Sequence, residues 1–490
     1  MNLRVRDPMQ PTDRARSKTF IPPAFTPAQP TLDTHRVAVL PFANFSPDAK
    51  DEYFADGITE EIISTVSGIR GLSVISRTSV MGYKGTTKRV KEIGRELDVG
   101  SILEGSFRKA GNRIRITTQL IDVAGDKHLW AQNYDRELDD VFAVQSDIAR
   151  QVANALRVKI LPLDQAHIDK TPTRNPEAHA LYLKGRYHWN QRSEESLLKA
   201  IEEYQAAIKL DPDYALAYSG IADSYTVLGD HNYVPYAEAF SKCKEYALKA
   251  VERDEGSAEA HTSLAIAICQ ERDSSAEAEF EKAIELNPSY ATAHHWHAIL
   301  LLHTGRREAA LQEALTAQKL DPLSPMIADF VGIVYDALGR YDQAERQHFR
   351  ALDMQTDFLA AIGNLISTYW HERKFADVER QAEAYLRISK DELVNKVGLA
   401  ANYALAGKEM EARRTMAEAE AMPDPTHHGD GLRMIYHIAL GELEKAVELI
   451  EGEYARGADW LGEIAYDPLY AAVRNDPRVK SILRKVGAAL

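Results

Sequence analysis

The amino-acid sequence predicts two structural parts in series, a small α+β domain and then an all-α superhelical solenoid. The solenoid is predicted by a repeated turn, because comparable positions recur at intervals of 34 residues. These turn positions are Glu271, Gly305, Gly339, Arg373, Gly407 and Gly441. Small residues also recur at fixed distances from the turns. The α+β domain is predicted by a different pattern over residues 36–157, where short apolar runs and alternating segments are typical of strands.

The repeat around Gly305 illustrates the physical basis of the period. Ala298, Ala310 and Ala317 lie where two antiparallel helices must approach closely, and Pro322 stops the second helix. A single helix pair of this kind cannot bury its apolar face alone, so successive pairs must stack. A period of ~34 residues with small residues at these offsets is typical of the tetratricopeptide (TPR) repeat.

Five segments are predicted along the chain. They are a disordered leader (1–35), the α+β domain (36–157), a linker (158–175), a TPR solenoid of about eight helix pairs (176–458) and C-terminal capping helices (459–490). The leader is rich in proline and lacks an apolar core. Pro468 and Pro477 are expected to break the capping helices. We expect the solenoid to fold independently of residues 1–160.

The α+β domain is predicted to have the element order β-α-β-α-β-β-β-α. An apolar run from Val37 to Phe42 predicts the first strand, and helical spacing from Gly57 to Ile69 predicts the first helix. Three consecutive strands follow, joined by tight turns at Gly111-Asn112 and Gly125-Asp126. In the middle strand one set of alternating residues, beginning at Ile114, is expected to be buried.

Charge is distributed unevenly along the chain and indicates the kind of partner. The net charge is −14, and residues 158–490 hold 37 basic and 53 acidic residues, a difference of −16. An acidic solenoid disfavours direct binding to nucleic acid or anionic lipid. A protein or peptide segment, with a basic one favoured, is the expected partner. The oligomeric state is left open.

The sequence contains no signature of catalysis, cofactor binding or metal binding. Nucleotide-binding loops, G-x-S-x-G and H-E-x-x-H are absent from it, so we expect neither enzymatic activity nor a cofactor. His294 and His297 have a spacing that suits metal ligands, but they occupy packing positions of the repeat, which favours a core role. His427-His428 is interpreted as a solvated loop. Cys243 stands where the repeat requires a small core residue.

Targeting signals are also lacking in the sequence. No apolar run approaches the length of a membrane helix, and the basic N-terminal residues are not followed by an apolar core. We therefore expect a cytoplasmic protein. A periplasmic location would require a membrane segment upstream of this chain.

Several segments of the first domain resemble the TolB-N-terminal-like domain of bacterial proteins. They are Val37–Phe42, Tyr53–Glu60, Tyr83–Gly85, Leu103–Ser106, Leu120–Asp122, His128–Ala131 and Tyr134–Arg136. The resemblance implies a sensory or scaffolding module in signalling. In that family the domain and a TPR array commonly follow a class III nucleotide cyclase or a winged-helix DNA-binding domain. Only the short leader precedes Val37, so we expect neither of those activities in this chain.

Two functional hypotheses remain open at this stage. The first is a non-enzymatic interaction protein that binds a protein segment in the TPR groove, which the first helix of each pair lines. The second is the sensory half of a cyclase or transcription regulator, acting in trans or separated from its upstream part. Counting from each turn places nine residues on the inner face of the groove: Asp223, Thr226, His295, Ile299, Asp329, Ile333, Asp336, Ser367 and Trp370.

Overall fold

A computed structural model describes residues 32–48, 51–231, 233–270, 274–389, 391–423, 429–458 and 460–488. Most of the predicted leader and the His427-His428 pair lie outside the described residues. The described residues from Leu32 onward belong to one compact unit. The α+β domain and the solenoid therefore share an interface. Independent folding of the solenoid stays a prediction.

The α+β domain is built on a six-stranded sheet with the order β3-β1-β4-β5-β6, in which β2 also pairs with β4. β1 is parallel to β3 and β4, and β4, β5 and β6 are antiparallel neighbours. The strands are β1 (Arg36–Val39), β2 (Ala43–Asn44), β3 (Ser73–Val74), β4 (Ser101–Ala110), β5 (Arg113–Asp122) and β6 (Lys127–Glu137).

Four helices complete the domain: α1 (Glu52–Ser67), α2 (Arg77–Met81), α3 (Val90–Glu96) and α4 (Val141–Ala155). The predicted element order is present, with β2 and α2 as additions that the sequence analysis missed. In β5, Ile114, Ile116 and Leu120 are buried, as the alternation predicted. Phe54 of α1 stacks on Phe107 of β4 with ring centroids 5.2 Å apart, which fixes α1 against the sheet.

The predicted linker contains a short helix, α5 (Pro162–Ile168). Pro162 occupies the first turn of this helix, where the missing amide hydrogen has no cost, and Asp164 accepts a hydrogen bond from the Leu161 amide at 2.9 Å. The sequence analysis did not predict a helix within the linker. The proline there starts a helix.

Eight antiparallel helix pairs follow within the described residues. They are α6 (Pro176–Trp189) with α7 (Glu194–Leu210), α8 (Ala215–Asp230) with α9 (Tyr236–Arg253), α10 (Ala258–Gln270) with α11 (Ala276–Leu286), α12 (Ala291–His303) with α13 (Arg307–Leu320), α14 (Pro325–Ala337) with α15 (Tyr341–Met354), α16 (Leu359–His371) with α17 (Phe375–Ile388), α18 (Glu392–Leu405) with α19 (Glu409–Glu420), and α20 (Asp430–Ala439) with α21 (Leu443–Arg456).

Five of the six repeated turn positions have the backbone conformation that the period implies, and the sixth, Glu271, lies outside the described residues. Gly305, Gly339, Gly407 and Gly441 have positive φ angles, as does Arg373 at 59°. Glycine adopts this left-handed conformation without strain, which explains its recurrence after the first helix of a pair.

The C-terminal segment is a pair of 3-10 turns, Trp460–Ala465 and Pro468–Tyr470, and a helix, α22 (Pro477–Lys485). Pro468 and Pro477 occupy the first turns of their elements. Each proline starts a new element, so the C-terminal segment is divided at these two positions. None of the helices in the described ranges is long and apolar enough to cross a membrane.

Candidate functional site

The α+β domain lies directly against the first helix of the solenoid. Glu60 of α1 accepts a hydrogen bond from Arg186 Nε of α6 at 2.7 Å. Glu61, one residue further, contacts His179 Nε2 at 2.7 Å. Leu183 of α6 is buried in the same apolar core as the sheet of the first domain. The two predicted domains are thus joined through both charge and apolar packing.

Contacts between the two parts continue along the array through the loops that join successive helix pairs. Asn287 donates a hydrogen bond to Ser67 at 2.8 Å, and Ser289 accepts one from the Val74 amide at 3.2 Å. Further on, Asp321 accepts a hydrogen bond from Ser79, and the Leu320 carbonyl accepts one from the Ser76 amide. The motifs that stop the second helices, Leu-Asn-Pro and Leu-Asp-Pro, therefore also hold the α+β domain.

A cavity of about 1070 Å³ lies between the α+β domain and the first five helix pairs. One wall comes from α1, the start of α2, and residues 142–146 of α4. The opposite wall comes from the first helices of successive pairs, namely α6, α8, α10, α12 and the start of α14. Binding sites for small molecules typically have volumes of ~300–1,000 Å³, so this space is large enough to hold one.

Charged side chains form a cluster at one end of the cavity. Glu60 contacts Arg186 and, at 3.0 Å, Arg77 Nε, while Asp223 lies 3.8 Å from Arg186. Burial alone would raise the pKa of Glu60, but the two arginines outweigh it and lower that pKa. Burial raises the pKa of Asp223, although Arg186 and the Ser263 hydroxyl oppose the shift.

Arg192 adds a third arginine to this cluster. Its guanidinium lies 3.5 Å from the centroid of the Trp189 ring, and that of Arg186 lies 4.4 Å from the same centroid. Arg192 lines the cavity and is exposed to solvent. Partial desolvation and, to a lesser degree, the positive charge of Arg186 together lower the pKa of Arg192 to about 10, against the opposing effect of Asp223. Arg192 therefore remains charged at neutral pH.

Three of the nine predicted groove residues line this cavity. Asp223 belongs to the charged cluster, Thr226 contacts the Cys243 thiol at 3.2 Å, and His295 is buried beside Phe330. Burial lowers the pKa of His295 to about 4, so the ring is neutral at pH 7. These residues line the cavity on the side that faces the α+β domain.

Two further predicted residues are buried between repeats. Asp329 is 4% exposed and contacts His348 Nδ1 at 2.6 Å and Asn364 Nδ2 at 2.8 Å. Trp370 is 5% exposed, and its indole N–H donates to Asn402 at 3.2 Å. The expectation that Trp370 is an exposed apolar anchor was therefore wrong. Its side chain fills the core between the sixth and seventh helix pairs.

Ile333 and Asp336 line a small recess that the C-terminal segment closes. Asp336 contacts His371 Nδ1 at 2.7 Å, and His371 Nε2 contacts Asp467 at 3.0 Å. Burial lowers the pKa of His371, but the two carboxylates outweigh it and raise that pKa to about 10. The last two predicted residues, Ile299 and Ser367, are half-buried.

The other residues considered for chemistry have packing roles. His294 Nδ1 contacts Glu313 at 2.6 Å, and the His297 ring stacks on Phe280. Cys243 is fully buried, and burial raises the pKa of its thiol to about 12. Across the described ranges, no group of three potential ligands is arranged to hold a metal ion.

Two family models match parts of the chain. Residues 192–229 match a TPR repeat, and residues 33–151 match the second domain of HilA/YgeH-like transcriptional regulators. Together with the 34-residue period and the eight helix pairs, the first match shows that the chain carries a TPR array.

Among curated relatives, "Putative adenylate cyclase 3" of Rhizobium meliloti (strain 1021) is 42% identical over 215 residues, which are 43% of this chain and 36% of that protein. "Transcriptional regulator HilA" of Salmonella typhimurium is 24% identical over 352 residues, 69% of this chain and 62% of that protein. The matched regions thus span between about a third and three-fifths of these relatives.

Solved structures similar to this chain include a tetratricopeptide repeat protein from Parabacteroides merdae, with 16% identity and a TM-score of 0.36. It covers 64% of this chain and 99% of that protein. Pseudomonas aeruginosa pilF is 18% identical with a TM-score of 0.34, over 43% of this chain and 96% of that protein.

Proposed function

We propose that this chain is a non-enzymatic regulatory module of a bacterial signalling system, in which the TPR array binds a protein partner. The observation that carries the proposal is the position of the α+β domain, which contacts α6 and the loops after α11 and α13 and faces the first helices of five successive TPR pairs across the cavity. Arrays of stacked helix pairs present extended surfaces that suit protein partners. A domain held against that surface is placed to control access to it.

The α+β domain is assigned here to the TolB-N-like type on the segments that resemble it. The same residues match the second domain of HilA/YgeH-like regulators, which supports a role in regulation. We further propose that the module acts in the cytoplasm.

The proposed partner is a protein segment with basic character. Support comes from the excess of acidic over basic residues in residues 158–490. Asp329 and Asp336 are engaged within the protein, however, so they are poor candidates for direct ion pairs with a partner. The half-buried Ser367 on α16 lies beyond the part covered by the α+β domain, and we propose this stretch of inner face for the contact.

A second candidate function is the regulatory part of a nucleotide cyclase or of a winged-helix transcription factor. The observation that favours it is the pair of relatives named for these activities, which match this chain over only part of their own length. In that case the partner is the catalytic or DNA-binding part, supplied by the same or another polypeptide.

Affinity capture from a bacterial lysate with three full-length proteins tests the proposal. Ser367→Arg places a bulky cation on the inner face, and Glu308→Gln changes an exposed outer position where Arg340 is the paired residue. We expect specific partners to be lost with Ser367→Arg and retained with Glu308→Gln. In calorimetry, a purified partner should bind the unchanged protein and Glu308→Gln with similar affinity and Ser367→Arg more weakly. Partners that bind all three proteins equally would exclude this surface. Capture of a cyclase or a DNA-binding protein would favour the second candidate.

A further inference from the structure

In the charged cluster beside Trp189, the described arginines outnumber the carboxylates that pair with them. Arg77 and Arg186 share the carboxylate of Glu60, and Arg186 also lies near Asp223. Within the described part of the chain, no carboxylate forms an ion pair with Arg192. Three arginines thus face two carboxylates in this cluster. The Arg192 guanidinium is exposed to solvent and is therefore accessible to an anion.

The geometry of Arg192 suits recognition of a planar or tetrahedral anion. Its guanidinium lies over the Trp189 ring, which limits its orientation through a cation–π contact. A guanidinium held in this way keeps its N–H edge available for two parallel hydrogen bonds to a carboxylate or phosphate.

Two buried donors in the cavity wall lack partners as well. The indole Nε1 of Trp189 and the hydroxyl of Ser219 are shielded from solvent and form no hydrogen bond with the described residues. Both residues line the cavity. Buried polar groups are nearly always satisfied, so these two unpaired donors indicate a missing acceptor.

Four other carboxylates of the cavity wall are engaged by contacts within the protein. Glu61 contacts His179 and accepts a hydrogen bond from Gln145. Glu259 accepts hydrogen bonds from Ser64 and Ser257. Asp254 pairs with Lys170, and Asp321 accepts the Ser79 hydroxyl.

We propose that this end of the cavity binds the phosphate or carboxylate group of a small organic anion through the Arg192 guanidinium. The rest of the molecule occupies the space between the α+β domain and the first helices of the array. Because both parts form the walls, a bound anion strengthens their association and stabilises the folded protein by mass action. This goes beyond the proposed protein binding, since it assigns a small-molecule site to the chain.

Titration calorimetry on the full-length protein tests the site with phenyl phosphate, benzoate and citrate at constant ionic strength, and with spermidine as a cationic comparison. We expect saturable binding of one anion per chain. Arg192→Gln should weaken it by ~10-fold or more, as loss of hydrogen bonds to a charged group implies. Arg192→Lys keeps the charge but loses the paired donors, and should weaken it less.

Arg306→Gln is the matched control, because Arg306 pairs with Glu277 away from the cavity. It should bind as the unchanged protein does. Circular dichroism of each variant confirms that the fold is retained. The phosphate and carboxylate probes separate the two sources of the anionic group. Failure of all three anions to bind, equal weakening by Arg192→Gln and Arg306→Gln, or binding of spermidine alone each overturns the proposal. Partner capture does not enter this measurement, so its outcome is independent of the protein-binding proposal.

Discussion

The Ser79 hydroxyl donates a 2.5 Å hydrogen bond to Asp321 Oδ1, joining α2 of the α+β domain to the loop between the fourth and fifth helix pairs. Both residues are buried. The Leu323 amide in turn donates to Ser79 Oγ at 2.9 Å, so one serine links two residues of the same loop to the first domain. This contact lies far along the array from the α1–α6 contact, and the two together fix the orientation of the α+β domain.

Asp321→Ala should loosen this distant end of the interface. The change leaves the Ser79 hydroxyl buried without its acceptor, at a cost of ~1–3 kcal/mol in the free energy of unfolding. Hydrogen exchange followed by mass spectrometry should show faster exchange around α2 with little change in α16. Glu308→Gln serves as the control. Unchanged exchange around α2 would mean that this contact does not hold the domain.

Gly332→Ala should destabilise the array, and Gly363→Ala should not. A Cβ atom on Gly332 would lie 2.5 Å from Cε1 of the His348 ring, which Asp329 holds in place, whereas the nearest atom to a Cβ on Gly363 lies at 3.9 Å. Overpacking costs ~1–3 kcal/mol, while glycine to alanine in an open helix gains ~0.5–1 kcal/mol. Thermal melts of the two variants check the prediction. Equal melting temperatures would contradict the assigned helix crossing.

Stability should depend on pH through His371. Its pKa is raised to about 10 in the folded protein, above the ~6.5 of an unfolded chain. The stabilisation of the folded protein by protonated His371 is therefore complete below about pH 6.5 and is lost as the pH rises towards 10. We expect His371→Gln to lower the melting temperature most at pH 6 and least at pH 10. If the loss in melting temperature were the same at pH 6 and pH 10, Asp336 and Asp467 would not be keeping the His371 ring protonated.

Trp370→Ala should act on stability and leave the specificity of partner binding unaffected. Removal of a buried tryptophan side chain costs ~3–5 kcal/mol. Trp370→Phe retains most of the packing and loses only the bond to Asn402, so its cost should be smaller. Chemical denaturation of the two variants orders them. A folded Trp370→Ala protein of normal stability that no longer bound its partner would restore the role of an exposed anchor.

The period of the sequence predicted the solenoid because each turn and crossing point needs a particular small residue. Gly339 and Gly332 show both requirements, a positive φ angle in one and a close contact with His348 in the other. The eight pairs and the order of the main α+β elements follow from such local rules. Short elements such as β2 and α2 were missed, since two to five residues carry too little pattern.

The candidate site could not be predicted in the same way, because it depends on contacts between distant parts of the chain. The repeat count places Asp223 and Thr226 on the inner face, but nothing in the repeat shows that α1 lies across the cavity from them. Arg186 and Glu60 are 126 residues apart, and each is an ordinary charged residue in its own helix. The one local signal was Arg192, a positive-φ residue beside a tryptophan.

The C-terminal segment from Trp460 to Tyr470 returns across the array, where Glu463 lies 3.9 Å from His303 of the fourth pair and Asp467 contacts His371 of the sixth. A linear array in which each repeat contacts only its neighbours can unfold from its ends and extends easily under tension. Here the C-terminal segment connects the end of the array to its fourth and sixth pairs. The α+β domain connects the first pair to the loop after the fourth pair. A force that pulls the two termini apart therefore acts on these long-range contacts as well as on the contacts between neighbouring repeats. The array should resist extension until one of the long-range contacts breaks.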